Sequence, residues 1–194
     1  MTRILVSLIF RLLPTLLVSA MAAAPSYAAD VRPVVILGFD FGGDNLATAQ
    51  FTNGSSESIH AGELFYLGGG VSVLNDSKDI EVQVTLSYKN DSINASNGSI
   101  DWTRYPLDGL LFYRFPKVRV GGGFTYHLSP KLSGSGVASN VNGSFDDSLG
   151  YVVEADYLVT RKLTVGGRYT SVKYKIGGTS IDGSAIGVTA GFRF

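Results

Sequence analysis

The chain has 194 residues, among them 24 glycines, ten tyrosines and eleven phenylalanines, but no cysteine. The absence of cysteine excludes a thiol nucleophile, a disulfide framework, covalent haem attachment and a lipid anchor on cysteine. Sixteen basic and sixteen acidic residues give no excess charge, so nothing indicates a nucleic-acid partner. The length suits one domain.

Residues 1–28 predict a cleaved signal peptide. An early positive charge at Arg3 precedes an apolar run rich in Leu and Ala, and small residues lead up to Ala28, which is the usual three-part plan. An uncleaved inner-membrane anchor is the competing interpretation, but Arg11 and Pro14 shorten the apolar run below the ~20 residues that span a bilayer. Cleavage at Ala24 or Ala29 stays open.

Cleavage after Ala28 leaves one predicted domain, residues 29–194, in which alternating apolar and polar positions predict eight strands. The clearest alternation starts at Ile80 and ends at Lys89. Its ten residues match a tilted transmembrane strand of about 9–11 residues. The predicted strands cover residues 33–41, 59–74, 80–89, 100–115, 118–128, 148–159, 163–175 and 181–194. Pro106 predicts a lost ladder bond or a bulge.

Short and long connections alternate along these strands. Residues 75–79, 116–117 and 160–162 form short turns, whereas residues 42–58, 90–99, 129–147 and 176–180 form longer polar loops. With both termini in the periplasm, every short turn lies on the periplasmic side and every long loop outside, which is the usual asymmetry of bacterial membrane barrels. We therefore predict an all-β fold, an eight-stranded antiparallel up-and-down transmembrane barrel.

Strand parity turns charged residues toward the barrel interior. An eight-stranded barrel is just narrow enough for side chains to fill it, and five acids against six bases predict a paired ionic plug rather than the one-sign ring of a selective channel. The predicted interior ionic network comprises Asp40, Glu81, Lys89, Arg104, Asp108, Arg114, Arg119, Glu154, Asp156, Arg168 and Arg193. Outward tyrosines and phenylalanines, with Trp102 near a strand end, predict aromatic girdles.

The spacing of one pair of residues raises the question of catalysis. His127 and Ser129 are similar in spacing to the His and Ser of outer-membrane lipid A deacylases, but parity predicts that both point inward, and no acid is well placed beside them. His60 has no metal partners at a recognisable spacing. We therefore predict no catalytic residue, metal site or cofactor, and a protein that is not an enzyme.

The last strand carries a family resemblance. Its apolar positions are Ile186, Val188, Ala190, Phe192 and Phe194. A chain that ends in this way resembles a bacterial outer-membrane barrel, and the resemblance implies that these residues are an assembly signal read by the barrel-assembly machinery. Segments 104–115 and 121–132 also resemble an outer-membrane β-barrel domain family.

Residues 30–194 as a whole resemble the small Gram-negative barrels, the group of the OmpA membrane domain, OmpX and the OmpW-like proteins. The resemblance implies an integral outer-membrane protein, in contact with membrane lipid and lipopolysaccharide, and we expect a monomer. The leading functional hypothesis is a structural or adhesive surface role for the polar loops. Passive transport of small or hydrophobic molecules is the alternative, and lipid A modification is a remote third.

Overall fold

The computed structural model describes residues 30–51 and 54–194; the predicted signal peptide lies outside them. Among these residues there is no helix with the length and apolar character needed to cross a bilayer. The strands are β1 (Asp30–Phe41), β2 (Asn45–Gln50), β3 (Ser56–His60), β4 (Leu64–Leu74), β5 (Ile80–Ala95), β6 (Gly98–Arg114), β7 (Val118–Gly136), β8 (Gly143–Ser144), β9 (Ser148–Leu158), β10 (Leu163–Ser171), β11 (Lys173–Ile176), β12 (Thr179–Asp182) and β13 (Ala185–Arg193).

Eight long strands close into one antiparallel barrel, as predicted. The order around the wall is β1, β4, β5, β6, β7, β9, β10 and β13, and β13 pairs with β1 to complete the circle. Asp30, Phe194 and the three short turns lie at one end, which we call the turn end. The opposite end, which carries β2, β3, β8, β11 and β12, is the loop end.

The two faces of the wall differ as the period-two pattern predicts. On β4, for example, Tyr66 points inward and is buried, whereas the next residue, Leu67, points outward and is about half exposed. Similar apolar side chains cover the outside of every barrel strand. Inward positions near the strand middles include glycines: a Cβ on Gly70 would lie 1.9 Å from the Val84 carbonyl oxygen, so this close approach of strands requires glycine.

The predicted loops are wrong in their extent, because most of their residues are paired strands. β5 and β6 continue to a two-residue turn at residues 96–97, and β7 continues to Gly136. Ile59, predicted to start a barrel strand, lies instead in β3, which forms a hairpin with β2. Residues 176–180 hold a hairpin turn in which Gly177 and Gly178 have positive φ, and β11 pairs with β12. In these loop-end segments the strands continue to pair through backbone hydrogen bonds, but their residues lack the apolar alternation that lipid imposes. The sequence pattern therefore does not reveal these strands.

Pro106 has the predicted effect on the wall. Pairing of β5 with β6 is interrupted between Leu86–Leu107 and Lys89–Arg104, because proline has no N–H to donate. On the other edge of β6, the register with β7 shifts by one residue between Thr103 and Tyr105. This bulge sits where the barrel passes into its loop-end extension.

Candidate functional site

One buried carboxylate organises the turn-end half of the barrel interior. Glu81 accepts hydrogen bonds from Arg114 Nη1 at 2.6 Å, Arg119 Nη1 at 2.7 Å and Arg193 Nη1 at 2.7 Å. Ser72 Oγ donates to the same carboxylate at 2.7 Å. Each guanidinium thereby shares a single negative charge with two others.

Acidic side chains on β9 and β6 extend the network from Glu81 toward the loop end. Arg119 Nε donates to Asp156 at 2.7 Å and its Nη2 lies 3.5 Å from Glu154. Arg168 forms an ion pair with Asp108 at 2.8 Å and approaches Glu154 at 3.7 Å. These contacts join β6, β7, β9 and β10 across the interior, which is the geometry that buried charges require.

Two further cations lie nearer the loop end. Lys89 pairs with Asp40 and donates to the Gly62 carbonyl oxygen at 2.7 Å. Arg104 donates to the Glu63 carbonyl oxygen at 2.7 Å and lies 5.2 Å from the Trp102 ring centre, without a carboxylate within 4 Å among the described residues. The structure thus places all eleven predicted network residues inside the barrel, ten of them in ion pairs and Arg104 on a carbonyl and an indole.

Little space remains at the middle of the barrel. The cavity between Asp40, Lys89, Asp108 and Arg168 measures about 10 Å³, which is room for roughly one water molecule. Side chains therefore fill the barrel at this level.

The loop end has a hydrophobic core of its own, which we call the loop-end core. Trp102 is fully buried, and its ring meets Tyr174 and Phe145 edge-on at centroid distances of 5.3 and 5.0 Å. Trp102 Nε1 donates to the Ala61 carbonyl oxygen at 3.1 Å. The buried members are Ile59, Ala61, Ile93, Ile100, Trp102, Leu132, Val172 and Tyr174.

The prediction that Trp102 belongs to a lipid-facing girdle is therefore wrong. Trp102 has the same parity as Arg104 on β6, and both side chains are buried inside. That shared parity was the available signal, since an inward aromatic above the last charged layer indicates a core beyond the membrane.

A groove opens beside this core, and the sequence did not reveal it. The loop groove has a volume of about 550 Å³. It is lined by residues 48–50 of β2 and the following Phe51, the β5–β6 turn and its flanks at residues 93–100, and Val137, Ala138, Asn140 and Val141. None of these described lining residues is charged. Its polar groups are the hydroxyls and amides of Thr48, Gln50, Asn94, Ser96, Asn97, Ser99 and Asn140.

The His127–Ser129 pair does not form a dyad. His127 is buried with Nδ1 2.6 Å from Tyr174 Oη. Ser129 is exposed and has a positive φ of 48°, and its N–H donates to Asp147 Oδ1 at 2.7 Å. The predicted inward direction of Ser129 is wrong because the bulge opposite Arg104 reorients the backbone after Leu128. Within residues 30–51 and 54–194, no group of three His, Asp or Glu side chains is arranged to hold a metal ion.

The family model described as outer membrane protein beta-barrel domain matches residues 12–194. The chain belongs to this family. A comparison with curated protein sequences gives no significant match. Membership in the outer-membrane barrel domain family accounts for the apolar outer wall, which lies in the outer membrane with lipid as its solvent.

Two solved structures show the same fold. The attachment invasion locus protein Ail of Yersinia pestis, in complex with the heparin analogue sucrose octasulfate, is 12% identical, with a TM-score of 0.54 over 86% of this chain and 99% of Ail. Neisserial surface protein A is 11% identical, with a TM-score of 0.52 over 84% of this chain and 97% of its own. At these identities the likeness concerns the fold alone.

Charge separates the two ends of this outer-membrane barrel. The loop end carries three exposed lysines, Lys131, Lys173 and Lys175, against seven exposed or half-buried carboxylates: Asp44, Glu57, Glu63, Asp101, Asp146, Asp147 and Asp182. At the surface of the turn end the balance is reversed, with Asp30, Asp76 and Asp79 against six cations: Arg32, Lys78, Arg114, Lys117, Arg161 and Lys162. A ligand at the loop end therefore meets a negative surface, except in the uncharged loop groove.

Proposed function

We propose that the protein is a non-enzymatic surface receptor of the adhesive type, anchored by a filled barrel and directing its loop end to the cell exterior. The observation that carries this proposal is the loop-end core. Trp102, Tyr174 and Phe145 fix the loop-end strands as a packed platform, and ordering a binding surface in advance reduces the entropy lost when a ligand binds.

The chemistry of the loop groove favours an uncharged, hydroxyl-rich ligand such as a neutral oligosaccharide. The amides of Gln50 and Asn140 and the hydroxyl of Thr48 can hydrogen-bond sugar hydroxyls, and the Phe51 ring and aliphatic lining offer an apolar surface. The Ail structure holds a sulfated sugar, but here the seven carboxylates at the loop-end surface oppose a polyanion.

A glycan-binding experiment tests the receptor role. Purified full-length protein in neutral-detergent micelles is presented to neutral and to sulfated oligosaccharides, and we expect saturable binding of neutral ones. The variant Gln50→Ala/Asn140→Ala changes two groove amides, and we expect its Kd to rise at least tenfold. Thr179→Ala/Ser180→Ala, in the β11–β12 turn outside the groove, is the matched control. Binding of sulfated sugars alone, or equal loss in both variants, would contradict the proposal.

A planar-bilayer recording tests the filled interior separately. Because the central cavity holds about one water molecule, we expect no ion-conducting steps from the refolded protein. Steady conductance would exclude a closed barrel interior. It would not bear on the glycan-binding experiment, which tests the loop groove.

One observation favours a second candidate, passive entry of hydrophobic molecules through the wall. The interrupted β5–β6 pairing leaves Ser87 in contact with both the central cavity and an outer apolar depression of about 460 Å³ beside Leu86, Tyr88 and Tyr105. Uptake of a hydrophobic solute by protein-loaded liposomes, reduced by Pro106→Ala, would support this route. Uptake equal to that of empty liposomes would remove it.

Lipid A modification remains the remote alternative. We expect unchanged lipid A acylation in mass spectra from cells with and without the protein, because His127 faces Tyr174 rather than a serine. We also propose that the receptor is a monomer in contact with outer-membrane lipid and lipopolysaccharide.

A further inference from the structure

A second pocket lies at the opposite end of the barrel, away from the loop groove. This turn-end pocket has a volume of about 390 Å³, and its charged lining residues are Asp30, Arg32, Lys78, Arg114, Arg161 and Arg193. Five cations thus face one carboxylate. Asp30 is already engaged by Arg32, at 2.7 Å.

The lining of the pocket carries more positive charge than its ion pairs neutralise. Arg114 and Arg193 both form their ion pair with Glu81, which also forms one with Arg119. Among the described residues, Lys78 and Arg161 form no ion pair with a carboxylate. Arg193 Nη2 reaches the Arg161 carbonyl oxygen at 3.5 Å, so the two arginine positions are adjacent at the pocket wall.

We propose that the turn-end pocket binds a phosphate-bearing anion. Guanidinium groups present paired N–H donors that match phosphate oxygens, and an ammonium adds a point charge to the same ligand. The shared chemistry is a phosphate group, whether on the headgroup of an anionic phospholipid in the adjoining leaflet or free in solution. The exposed apolar side chains of Val31 and Phe115 at this end place the pocket within reach of lipid headgroups.

Surface variants test the proposal without disturbing the interior. Lys78→Asn/Arg161→Gln removes two pocket charges, and asparagine suits position 78 because Lys78 has a positive φ of 61°. Lys117→Gln/Lys162→Gln removes the same charge from the same end but outside the pocket, and serves as the control. Arg114 and Arg193 stay unchanged, so the ion pairs of Glu81 are kept.

The measurement has two arms. In phosphatidylcholine nanodiscs, the full-length protein is titrated with inorganic phosphate against chloride at matched ionic strength, and amide chemical shifts of residues 78 and 161 are followed by NMR. In detergent, native mass spectrometry counts phosphatidylglycerol against phosphatidylcholine molecules retained. Saturable shifts with phosphate identify a free-phosphate site, whereas selective retention of phosphatidylglycerol without such shifts identifies a headgroup site.

Either result supports the proposal if the pocket variant weakens binding at least tenfold and the control variant does not. Equal weakening in both variants would show diffuse attraction to a basic surface and overturn it. So would the absence of both saturable shifts and selective lipid retention. Neither arm depends on the glycan result, since the two pockets lie at opposite ends.

Discussion

Tyr174 of β11 places its hydroxyl 2.6 Å from Nδ1 of His127 on barrel strand β7, with both side chains buried. This contact ties the β11–β12 hairpin to the wall. We expect Tyr174→Phe, which keeps the ring and deletes the hydroxyl, to lower the free energy of unfolding by about 1–2 kcal/mol. Tyr174→Ala also removes an aromatic from the loop-end core and should cost about 3–5 kcal/mol.

Urea unfolding in detergent, followed by the fluorescence of the single tryptophan, Trp102, measures both changes. Tyr151→Phe, on the exposed outer face, is the control and should leave the free energy within about 0.5 kcal/mol. A Tyr174→Phe variant as stable as the control would show that the His127 contact contributes nothing.

The ion pairs of Glu81 lead to a second prediction, a larger loss of stability. Glu81→Gln leaves three arginines around a neutral side chain, and removing one partner of a buried ion pair costs about 3–5 kcal/mol. The folded band on unheated gels should convert to the unfolded band at a lower temperature than in the wild type. Glu57→Gln, at an exposed position of β3, should behave as the wild type. Equal conversion temperatures would contradict the central role of Glu81.

Phe194 tests the proposed assembly signal. Its ring is exposed and packs against Phe192 at a centroid distance of 5.0 Å, so Phe194→Ser removes little buried surface. We expect the variant to refold in detergent with near wild-type stability but to reach the outer membrane of cells in amounts reduced severalfold. Phe115→Ser, at an equally exposed aromatic of the same end, is the control. Equal loss of both variants from the membrane would argue against a signal read by the assembly machinery.

The hydrogen bonds of Asp79 predict that the stability of the first short turn depends on pH. Hydrogen bonds from Ser77 and from Asn75 Nδ2, at 2.6 Å, lower the pKa of Asp79 from its ordinary value of 3.8. Because the folded-state pKa is depressed, the stabilisation is complete above the unfolded value and disappears as the pH falls through the folded one. A carboxyl NMR titration should give a midpoint below 3.8, returning toward 3.8 in Asn75→Ala/Ser77→Ala but not in Ser58→Ala. A wild-type midpoint at or above 3.8 would contradict this.

The sequence predicts the membrane-embedded part of this molecule well because lipid enforces strict alternation. On β5, every polar side chain of residues 81–89 faces inward and every apolar one faces outward, so parity alone locates Glu81 and Lys89. The register that joins Glu81 to Arg193, 112 residues away, follows from closure of the barrel and not from any local pattern.

The sequence predicts the loop end poorly, because no lipid imposes alternation there. Outside lipid, strands such as the end of β7 hold Ser and Gly in regular pairing. Glycine has low strand propensity, and neither residue marks an apolar face. The bulge of β7 opposite Arg104 turns Ser129 outward, and a count of alternating positions cannot anticipate a bulge. Trp102 and Tyr174 are 72 positions apart in the chain, so their packing and the groove beside it depend on tertiary structure.

The contact of Arg193 with Glu81 also constrains how the polypeptide inserts. Until the final strand pairs with β1, Glu81 lacks the guanidinium of Arg193 and the barrel wall is still open. The interior carboxylates and arginines are then exposed at the open edge. A partial barrel in hydrocarbon would expose both unpaired strand edges and unbalanced ions, each costly there. Insertion is therefore expected to be all-or-none, with the closing seam between first and last strands as its final step.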